Sequence, residues 1–592
     1  MVSFLVFLVA YTSLSSARPF LTPSPHTHTD SLPGCLSETS FTVFGLGNKQ
    51  YEHFNRMGKT TNRELERLGG TRVHAYGEGD DDNALEDDFE NWKGPMWESL
   101  VRQFHPSKGA GSGGLGNEAG SAATEGPVTL SFECVDVSAA EAKKLVASPP
   151  RTSQLAASTK HFFTCKSAIV TANRELRSSE KEARVAGLDD AVLAKVGQGS
   201  VRHLELQLAD TGLTYMTADN LAVLPENDPT VVAALCKALG YGSQEMTVRP
   251  CAEGGGDGEG GEFKYTFPVP FTAHSALSQY FDIHGQPTLG VMKQLLPYVQ
   301  NDTQKQWLRG FLCKDQREAW KQFLHSTGAS VASLLLGELS SCRPPLSDLL
   351  HILPFIQPRL YTISSSSSVH PDSVHITVSV TQFELPNGKV FRGLASGFLQ
   401  NISVGTGRCR VYVRPSTFRL PTALTTPIVM VGPGTGIAPM RALLQERKFL
   451  GAKNGGANGA VGLKVPSNKN TLYFGCKHSA VDFLYKDELL AFQKDGILTQ
   501  LHTAFSRQQA EKVYVQHLVA KEPNDSDLMT DLDAGAFVFV CGDTKMGSDF
   551  MDAVVILLQK KKGELARAIL CNCWLRSKYH SLTPLISIVR NN

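Results

Sequence analysis

The sequence lacks three features that would assign it to particular classes of protein. Its 592 residues carry a formal net charge of only +1, which gives no electrostatic case for binding nucleic acid. Its 12 cysteines include no CxxC pair and no histidine at ligand spacing, which argues against a zinc site. No internal repeat is evident. We therefore expect no metal and no nucleic-acid partner, and we expect reduced thiols in a cytosolic redox compartment.

The chain also lacks an apolar run long enough to span a membrane. Residues 2–17 read VSFLVFLVAYTSLSSA and carry no charge, yet they fall short of the ~20 apolar residues that a span needs. They resemble the apolar region of a signal peptide without its basic start. Three interpretations stay open, namely a short anchor, a cleaved leader, and non-native sequence from a wrongly assigned start.

What is present indicates a globular protein of several domains. Hydrophobic residues make up 42% and charged residues 19%, and the length exceeds that of one core. Residues 41–104 contain two strand candidates, at 41–44 and 71–76, around a helical stretch near 60–68. Residues 106–126 are rich in Gly, Ala and Ser and predict a flexible linker.

The predicted secondary structure of the rest of the chain changes twice. Short β-like runs dominate from 128 to about 225, a more helical region covers roughly 273–353, and strands return at 359–363, 375–380 and 410–413. The last third alternates short apolar strands with helices. Such alternation predicts a doubly wound parallel sheet.

Several segments of this last third fit a dinucleotide. The strand 428–431 runs into GPGTGIAP and a helix, where backbone N–H groups favour a pyrophosphate, although a tight strand-to-helix turn explains the glycines equally well. Ser506, Arg507 and Lys512 follow another strand and suit the 2′-phosphate of NADPH, or else a solvated helix start. Cys541 stands at the end of a further strand. Its thiol either faces the ligand or is buried in the core.

A segment upstream fits a flavin. RLYTISSSS, residues 359–367, offers a cation, an aromatic ring and a hydroxyl within four residues. These groups suit a flavin dinucleotide, with Arg for the pyrophosphate, Tyr for stacking and the hydroxyl for the ring edge. An edge strand that runs into a serine loop would give the same pattern.

Taken together, six motifs resemble the NADPH–cytochrome P-450 reductases. GLGNKQYEHFNRMGK, RLYTISSSS, GPGTGIAP, LYFGCKHS, AFSRQQAEKVYVQHL and FVFVCGD occur in that family's order, and the similarity runs from about Phe41 to about Val554. The resemblance implies a multidomain α/β and β protein. Its parts would be an atypical leader (1–36), a partial flavodoxin-like FMN domain (37–105), the linker (106–126), an FAD-binding β-barrel domain (127–420) with a helical connecting insert (about 226–353), an NADPH-binding doubly wound parallel sheet of ferredoxin-reductase type (421–555) and an atypical tail (556–592).

The resemblance also implies binding residues for three cofactors, FAD, FMN and NADPH. Those for FMN are Leu46, Gly47, Asn48, Lys49, Gln50, Tyr51, Glu52, His53, Phe54, Asn55 and Asp81, with Tyr51 as the ring-stacking aromatic. Those for FAD are Arg359, Leu360, Tyr361, Thr362, Thr377, Val378, Ser379, Phe383, Gly393, Leu394, Ala395 and Ser396. Those for NADP are Arg174, Thr435, Ser506, Arg507, Lys512, Val513, Tyr514, Val515, Gln516 and Asp549. Thr362 and Cys541 match the residues that take part in hydride transfer.

The sequence departs from the family pattern at several places. Thr362 stands where the family has Ser, and Phe383 replaces a common Tyr. The Ser/Thr-rich phosphate loop of the FMN domain is missing upstream of Phe41, so we expect FMN to bind weakly or not at all. The chain ends KYHSLTPLISIVRNN instead of the family's Asp-Val-Trp segment, and Trp574 lies in an unrelated context. An altered gene model at both ends is our hypothesis for these departures.

The resemblance implies an NADPH-dependent oxidoreductase that passes electrons through FAD and FMN to a haem protein such as cytochrome P-450. It further implies a location on the cytosolic face of the endoplasmic reticulum membrane, although the leader leaves a cytosolic location open. Two alternatives remain. One is another diflavin reductase, of the sulfite or methionine synthase reductase type, and the other is an inactive truncated fragment that acts only as a binding module.

Overall fold

The structure is a computed structural model that forms two compact units, Met1–Thr124 and Glu125–Asn592. It describes residues 4–9, 36–37, 39–47, 55–80, 85–104, 130–251, 263–313, 316–455, 469–521, 523–562 and 586–590. Each unit is described by itself below.

The first unit contains a four-stranded parallel sheet with two helices. Its elements are β1 (Phe4–Val9), β2 (Ser40–Gly47), β3 (Thr71–Arg72), β4 (Gly77–Asp80), α1 (Arg56–Arg67) and α2 (Leu85–Phe104). β1 pairs with β2 from Phe4↔Ser40 to Val9↔Gly45, and β3 and β4 pair with the start and the end of β2.

Apolar spacing explains how the two helices join this sheet. On α2, Trp92, Met96 and Leu100 recur at every fourth residue and pack with Phe44 of β2. On α1, Leu65 packs with Phe41 and other residues of the same strand. The strand β2 is therefore covered by apolar side chains from both helices.

The expectation of only two strands in this part was wrong. β4 was not predicted, and β1 lies within the segment that we expected to be an atypical leader. Six apolar residues in a row fit a leader and a buried strand equally well. Their partner strand lies far along the chain, so the local pattern could not choose between these interpretations.

The second unit begins with a β-barrel, as predicted. Its strands and the short strands beside them are β5 (Phe132–Asp136), β6 (Lys166–Glu175), β7 (Val201–Gln207), β8 (Asn220–Leu224), β9 (Met246–Pro250), β10 (Arg359–Thr362), β11 (Ser373–Ser379), β12 (Gln382–Glu384), β13 (Val390–Arg392) and β14 (Arg408–Arg414). Six of them form an antiparallel sheet in the order β10-β8-β14-β6-β7-β11. A bridge between Ile363 and Ile376 joins its two edges, so the sheet closes on itself.

The barrel is filled by side chains from every second residue of its strands. Leu204 and Leu206 on β7 and Val374 and Ile376 on β11 are fully buried in one cluster, at every second residue of each strand. β5 pairs with β9, and β12 pairs with β13, in two further antiparallel pairs. The predicted strands at 359–363, 375–380 and 410–413 are all present, whereas β6 and β8 were not predicted as separate strands.

Helices accompany the barrel, and those within about residues 226–353 form the predicted helical insert. They are α3 (Ala139–Ala147), α4 (His161–Thr164), α5 (Glu180–Val185), α6 (Asp190–Val196), α7 (Pro229–Leu239), α8 (Ala273–Gln279), α9 (Leu289–Leu295), α10 (Asp302–Leu312), α11 (Arg317–Thr327), α12 (Val331–Leu336), α13 (Leu346–Ile352) and α14 (Leu394–Asn401). The insert has its own apolar core, which includes Phe267, Phe281 and Leu308. α7 begins at the N-cap Asp228, whose side chain accepts from Thr230 N, with Pro229 in the first turn.

The last part of this unit is a five-stranded parallel sheet, which confirms the predicted fold class. Its elements are β15 (Ile428–Val431), β16 (Asn470–Cys476), β17 (Gln500–Phe505), β18 (Phe537–Gly542), β19 (Ile586–Arg590), α15 (Ile437–Gly455), α16 (Lys486–Lys494), α17 (Val515–Val519), α18 (Asn524–Asp533) and α19 (Thr544–Lys562). The strand order is β17-β16-β15-β18-β19. The order reverses between β15 and β18, and a doubly wound sheet binds its ligands at such a point.

The structure extends this sheet beyond the predicted boundary at residue 555. α19 continues to Lys562, and β19 pairs with β18 in parallel, from Val538↔Ile586 to Gly542↔Arg590. Both elements enter the segment that we expected to be an atypical tail. Among the described residues, no helix combines the length and the apolarity that crossing a membrane requires.

One buried carboxylate connects the barrel to the chain that leads into the parallel sheet. Asp219 is 4% exposed and accepts from Arg419 Nη2 at 2.6 Å, from Ser416 N at 3.0 Å and from Met216 N at 2.9 Å. We predict that Asp219→Ala destabilises the chain by about 3 kcal/mol, because it leaves these donors without an acceptor. Thermal unfolding followed by circular dichroism measures this as a lower melting temperature.

An exposed pair offers the control. Glu180 binds Arg184 at 2.7 Å on the surface, and Glu180→Ala should leave the melting temperature nearly unchanged. Equal melting temperatures for both variants would show that Asp219 does not hold these segments together.

Candidate functional site

The glycine turn after β15 approaches the end of β18 very closely. Residues 434–436 form a short turn before α15, and Gly436 lies against the backbone of Cys541. A Cβ placed on Gly436 would lie 2.1 Å from the carbonyl oxygen of Cys541, so no side chain fits there. The glycine motif therefore brings the start of α15 to the point where the strand order of the sheet reverses.

The two predicted catalytic residues meet beside this turn. Thr362 ends β10 of the barrel, is 5% exposed and donates its hydroxyl to Asn220 Oδ1 at 3.2 Å. Burial raises the pKa of the Cys541 thiol to about 12, and a hydrogen bond with the side chain of Thr362 offsets part of that rise. Cys541 is thus a neutral thiol at physiological pH, in contact with a hydroxyl from the other sheet.

The predicted FAD residues at the start of β10 lie beside Thr362. Arg359 and Leu360 are exposed, whereas Tyr361 is half-buried, and burial raises the pKa of its phenol. A cation and an aromatic ring therefore follow each other along a strand whose last residue contacts Cys541. This order fits a flavin whose reactive edge lies at Thr362 and whose charged end lies at Arg359.

The predicted pyrophosphate segment forms the N-terminus of α14. Gly393 is the N-cap, no side chain caps the helix, and the first-turn N–H groups belong to Leu394, Ala395 and Ser396. A Cβ on Gly393 would lie 2.9 Å from Thr381 Cβ, so the glycine allows close packing at this helix start. Free N–H groups and a positive helix end suit a pyrophosphate.

The remaining FAD predictions lie on β11 and on the neighbouring hairpin. Thr377 is buried, and its hydroxyl is bonded to Tyr485 OH at 2.7 Å. Val378 is buried and Ser379 is exposed. Phe383 is 53% exposed and stacks on Phe391 with centroids 4.9 Å apart.

The predicted NADP residues lie at the carboxyl edge of the parallel sheet. Ser506 N donates to Cys476 O at 3.0 Å and Arg507 N to Lys477 O at 2.9 Å, which fixes the segment after β17 to the segment after β16. Thr435 lies in the glycine turn, and Lys512 is exposed. Two cations and a hydroxyl at one sheet edge suit a phosphate with a double negative charge.

Among the predicted NADP residues that come after Lys512 in the chain, Gln516 contacts α19. Gln516 Nε2 donates to Asp549 Oδ2 at 3.3 Å, and Gln516 Oε1 is buried without a partner. Tyr514 is 40% exposed, Val513 is half-buried and Val515 is buried in the core of the sheet. Val515 therefore serves packing, while Tyr514 and Gln516 present groups that a nucleotide can contact.

Helices α15 and α16 add buried polar residues that the sequence analysis missed. Arg441 donates to Glu488 Oε2 and to Ser364 O, each at 2.7 Å, and its guanidinium lies 4.9 Å from the ring centroid of Tyr485. Arg174 lies over the same ring at 6.0 Å and is exposed, as a residue that contacts a nucleotide must be. No motif marked Tyr485 or Arg441. The only signal was a charged residue in the apolar helix that follows the glycine turn.

The serine loop after β10 is bound by a carboxylate of helix α15. Glu446 on α15 accepts from Ser366 Oγ at 2.5 Å, from Ser368 Oγ at 2.7 Å and from Thr217 Oγ1 at 2.7 Å. These hydroxyls lower the pKa of Glu446 against the opposing effect of burial, which is the largest single contribution. Ser366 of RLYTISSSS, together with Ser368, thus binds the parallel-sheet part of the unit.

Three residues beneath this interface have the geometry of a metal site. The ligand atoms of His203, Glu205 and His375 all lie within 4.8 Å of one another. Burial, with further lowering by Arg441 and Arg174, brings the pKa of His203 to about 2 and that of His375 to about 3. The same two guanidinium groups oppose a cation, so we assign no metal to this cluster.

In the first unit, the predicted FMN segments leave the sheet at one edge. Leu46 lies opposite Gly79 and Gly47 opposite Asp80, so the loops after β2 and β4 start side by side at the carboxyl ends of parallel strands. Asn55 is 5% exposed, and its Oδ1 is buried without a partner. The predicted FMN residues Asn48, Lys49, Gln50, Tyr51, Glu52, His53, Phe54 and Asp81 lie outside the described residues, as does Trp574.

Comparison with known proteins gives matches along most of the chain. Three family models match, namely a flavodoxin at residues 27–92, an FAD binding domain at 171–398 and an oxidoreductase NAD-binding domain at 430–551. The NADPH–cytochrome P-450 reductase of Homo sapiens is 35% identical over 520 residues, which cover 86% of this chain and 70% of that protein. The reductase of Musca domestica is 34% identical over 536 residues, covering 89% of this chain and 72% of that protein.

The fit between Gly436 and Cys541 gives a test of the site. We predict that Gly436→Ala weakens the binding of 2′,5′-ADP by about tenfold or more, because the added methyl group displaces either the turn or the end of β18. Isothermal titration calorimetry measures the dissociation constant. Gly310→Ala, in α10 with no atom near its Cβ, is the matched control and should bind as the unaltered chain does. Unchanged binding by Gly436→Ala would contradict this role of the turn.

Proposed function

The chain belongs to the NADPH–cytochrome P-450 reductase family, and we propose that it carries electrons from NADPH through FAD and then FMN to a haem protein. The observation that carries the proposal is the contact between Thr362 and Cys541. It places a hydroxyl from the flavin-type barrel against a thiol from the nucleotide-type sheet. A flavin and a nicotinamide that react with each other need such a junction.

The barrel residues have distinct roles in this proposal. Arg359 and the N–H groups at the start of α14 would hold the pyrophosphate of FAD, and Tyr361 would support its ring. Thr362, whose hydroxyl rotation is fixed by Asn220, would hold the reactive edge of the ring. Cys541 stays protonated at physiological pH and would lie beside the nicotinamide as a small neutral group. Bound flavin supplies the chemistry that accepts a hydride and releases single electrons.

The sheet residues select the nucleotide. Ser506, Arg507 and Lys512 bind the 2′-phosphate. The Oε1 atom of Gln516, which has no partner among the described residues, is available to the same nucleotide. Arg174 reaches the nucleotide from the barrel side. The cations therefore come from two parts of the unit, so binding of NADPH is coupled to the position of the barrel.

The electron acceptor and the location form a further part of the proposal. The relatives are named as reductases of cytochrome P-450, so a haem protein of that kind is the acceptor that we propose. By the same resemblance the chain works at the cytosolic face of the endoplasmic reticulum membrane. Cell fractionation with an antibody to the chain tests this, and recovery in the soluble fraction alone would oppose it.

The first test concerns Arg507. We predict that Arg507→Ala raises KM for NADPH by about tenfold to a hundredfold and changes KM for NADH far less, because only NADPH carries the 2′-phosphate. Ferricyanide reduction measures both constants with one acceptor.

The matched control removes a cation from the same sheet domain. Lys448 pairs with Asp495 at 2.7 Å on the surface, and Lys448→Ala should leave both constants unchanged. Equal effects of Arg507→Ala on NADPH and NADH would remove Arg507 from phosphate recognition and weaken the assignment of this edge.

The second test concerns FMN. The loops after β2 and β4 would hold this flavin at the carboxyl edge of the first unit's sheet, but no segment of residues 1–40 matches the family's phosphate loop. We predict that the purified chain releases FAD in excess of FMN, measured by chromatography of the extracted flavins. Equimolar FMN would show that another segment of the chain supplies the phosphate contacts.

A further inference from the structure

Tyr485 occupies a backbone conformation that few residues other than glycine adopt. Its φ of 54° lies in the left-handed region, immediately before α16. Such a conformation costs free energy for a residue with a Cβ and persists where surrounding contacts hold it. In this case the contacts are made by the side chain, which is only 7% exposed.

The phenol of Tyr485 is bonded to two neighbouring strands of the barrel. Its hydroxyl lies 2.7 Å from Thr377 Oγ1 on β11 and 2.9 Å from His203 Nδ1 on β7. Thr377 and His203 face each other in the register of these strands. A single side chain at the start of a sheet-domain helix therefore holds the pair of strands that includes the predicted FAD segment.

The hydrogen bonds in this group run in one direction. The carboxylate of Glu205 can only accept, so His203 Nε2, at 3.1 Å from it, carries the imidazole proton. His203 Nδ1 then accepts from the phenol of Tyr485, and the oxygen of that phenol accepts from the hydroxyl of Thr377. In this arrangement the phenol of Tyr485 donates to one strand and accepts from the other.

The ring of Tyr485 is held as firmly as its hydroxyl. Arg441 lies over it at 4.9 Å and is itself bonded to Glu488 in the first turn of α16 and to Ser364 O in the loop after β10. The edge of His203 meets the ring at 82° with centroids 5.7 Å apart. The start of α16, helix α15, β7, β11 and the loop after β10 all contact this one residue or its direct partners.

We propose that Tyr485 is a positioning residue for hydride transfer, which sets the distance between the flavin-binding strand β11 and the nucleotide-binding sheet. The inference rests on the proposed function, because it needs FAD on the barrel and NADPH on the sheet. Tyr485 itself touches neither reacting atom. It acts through Thr377 on one side and through α16 on the other.

The test is Tyr485→Phe in the full chain loaded with FAD. This variant keeps the ring over which Arg441 lies and removes only the hydroxyl. We expect anaerobic reduction of FAD by NADPH to slow about tenfold, since small displacements of reacting groups have large effects on rate. The isotope effect with NADPH deuterated at the transferred position should rise. FAD content and the dissociation constant of 2′,5′-ADP should stay unchanged.

A readout that does not depend on turnover accompanies the rate. ¹⁵N spectra of histidine-labelled chain report the tautomer of His203, which we expect to be protonated at Nε2 with Nδ1 accepting. The signal of Nδ1 should shift in Tyr485→Phe. Thr377→Val should also slow FAD reduction, and the double variant should be no slower than Tyr485→Phe, because Tyr485→Phe already removes the contact with Thr377.

The matched control is Tyr241→Phe. Tyr241 lies in the helical insert, and its phenol donates to Pro344 O at 2.8 Å, so this variant also removes one hydroxyl contact. It should leave the rate of FAD reduction unchanged. The proposal is overturned if Tyr485→Phe reduces FAD at the normal rate, or if a loss of FAD or of 2′,5′-ADP binding accounts for the whole defect. An unaltered chain that NADPH cannot reduce overturns the proposed function as well.

Discussion

A buried polar interface joins the barrel to the parallel sheet, and the candidate site depends on it. Arg441 and Glu446 lie on one helix and enter the interface with their charges. Charged groups removed from water cost several kcal/mol each unless hydrogen bonds replace the lost hydration. In this structure they are replaced, since Glu446 accepts from three hydroxyls and Arg441 binds both a carboxylate and a carbonyl. Such an interface tolerates only one relative position of its two sides.

This fixed position brings residues from distant parts of the chain together. Thr362 and Cys541 are far apart in sequence, with most of the sheet domain between them, yet their side chains interact in the fold. The close packing of Gly436 on Cys541 places the glycine turn at the same point. A barrel that binds a flavin and a sheet that binds a nucleotide thus share one junction. The polar interface beside this junction keeps the two sheets in register.

Much of this architecture could be predicted from the sequence. The glycine turn, the strand endings and the alternation of strands and helices predicted the parallel sheet, because parallel strands carry a strong local pattern. Motif order predicted Thr362, Cys541 and Arg507 as site residues, and the structure brings Thr362 and Cys541 together. Tyr485, Arg441 and Glu446 could not be found in this way, because a polar residue inside a helix looks like a solvated one until its partner is known.

The two ends of the described chain show the same limit. β1 and β19 each pair with a strand far away in sequence, and neither has a local pattern that distinguishes it from a leader or a tail. They lie within the segments that we expected to be an atypical leader and an atypical tail. Pairing between distant strands depends on the register of the partner, which composition does not record.

The central claim is that the barrel and the sheet form one site at which NADPH reduces bound FAD. Anaerobic addition of NADPH to the purified, FAD-loaded chain, followed at the flavin absorbance band, tests it most directly. The account predicts that the band is bleached by NADPH without any added protein and that NADH achieves this only at much higher concentration. A flavin band that NADPH leaves unchanged, in a chain that holds FAD, would contradict the account.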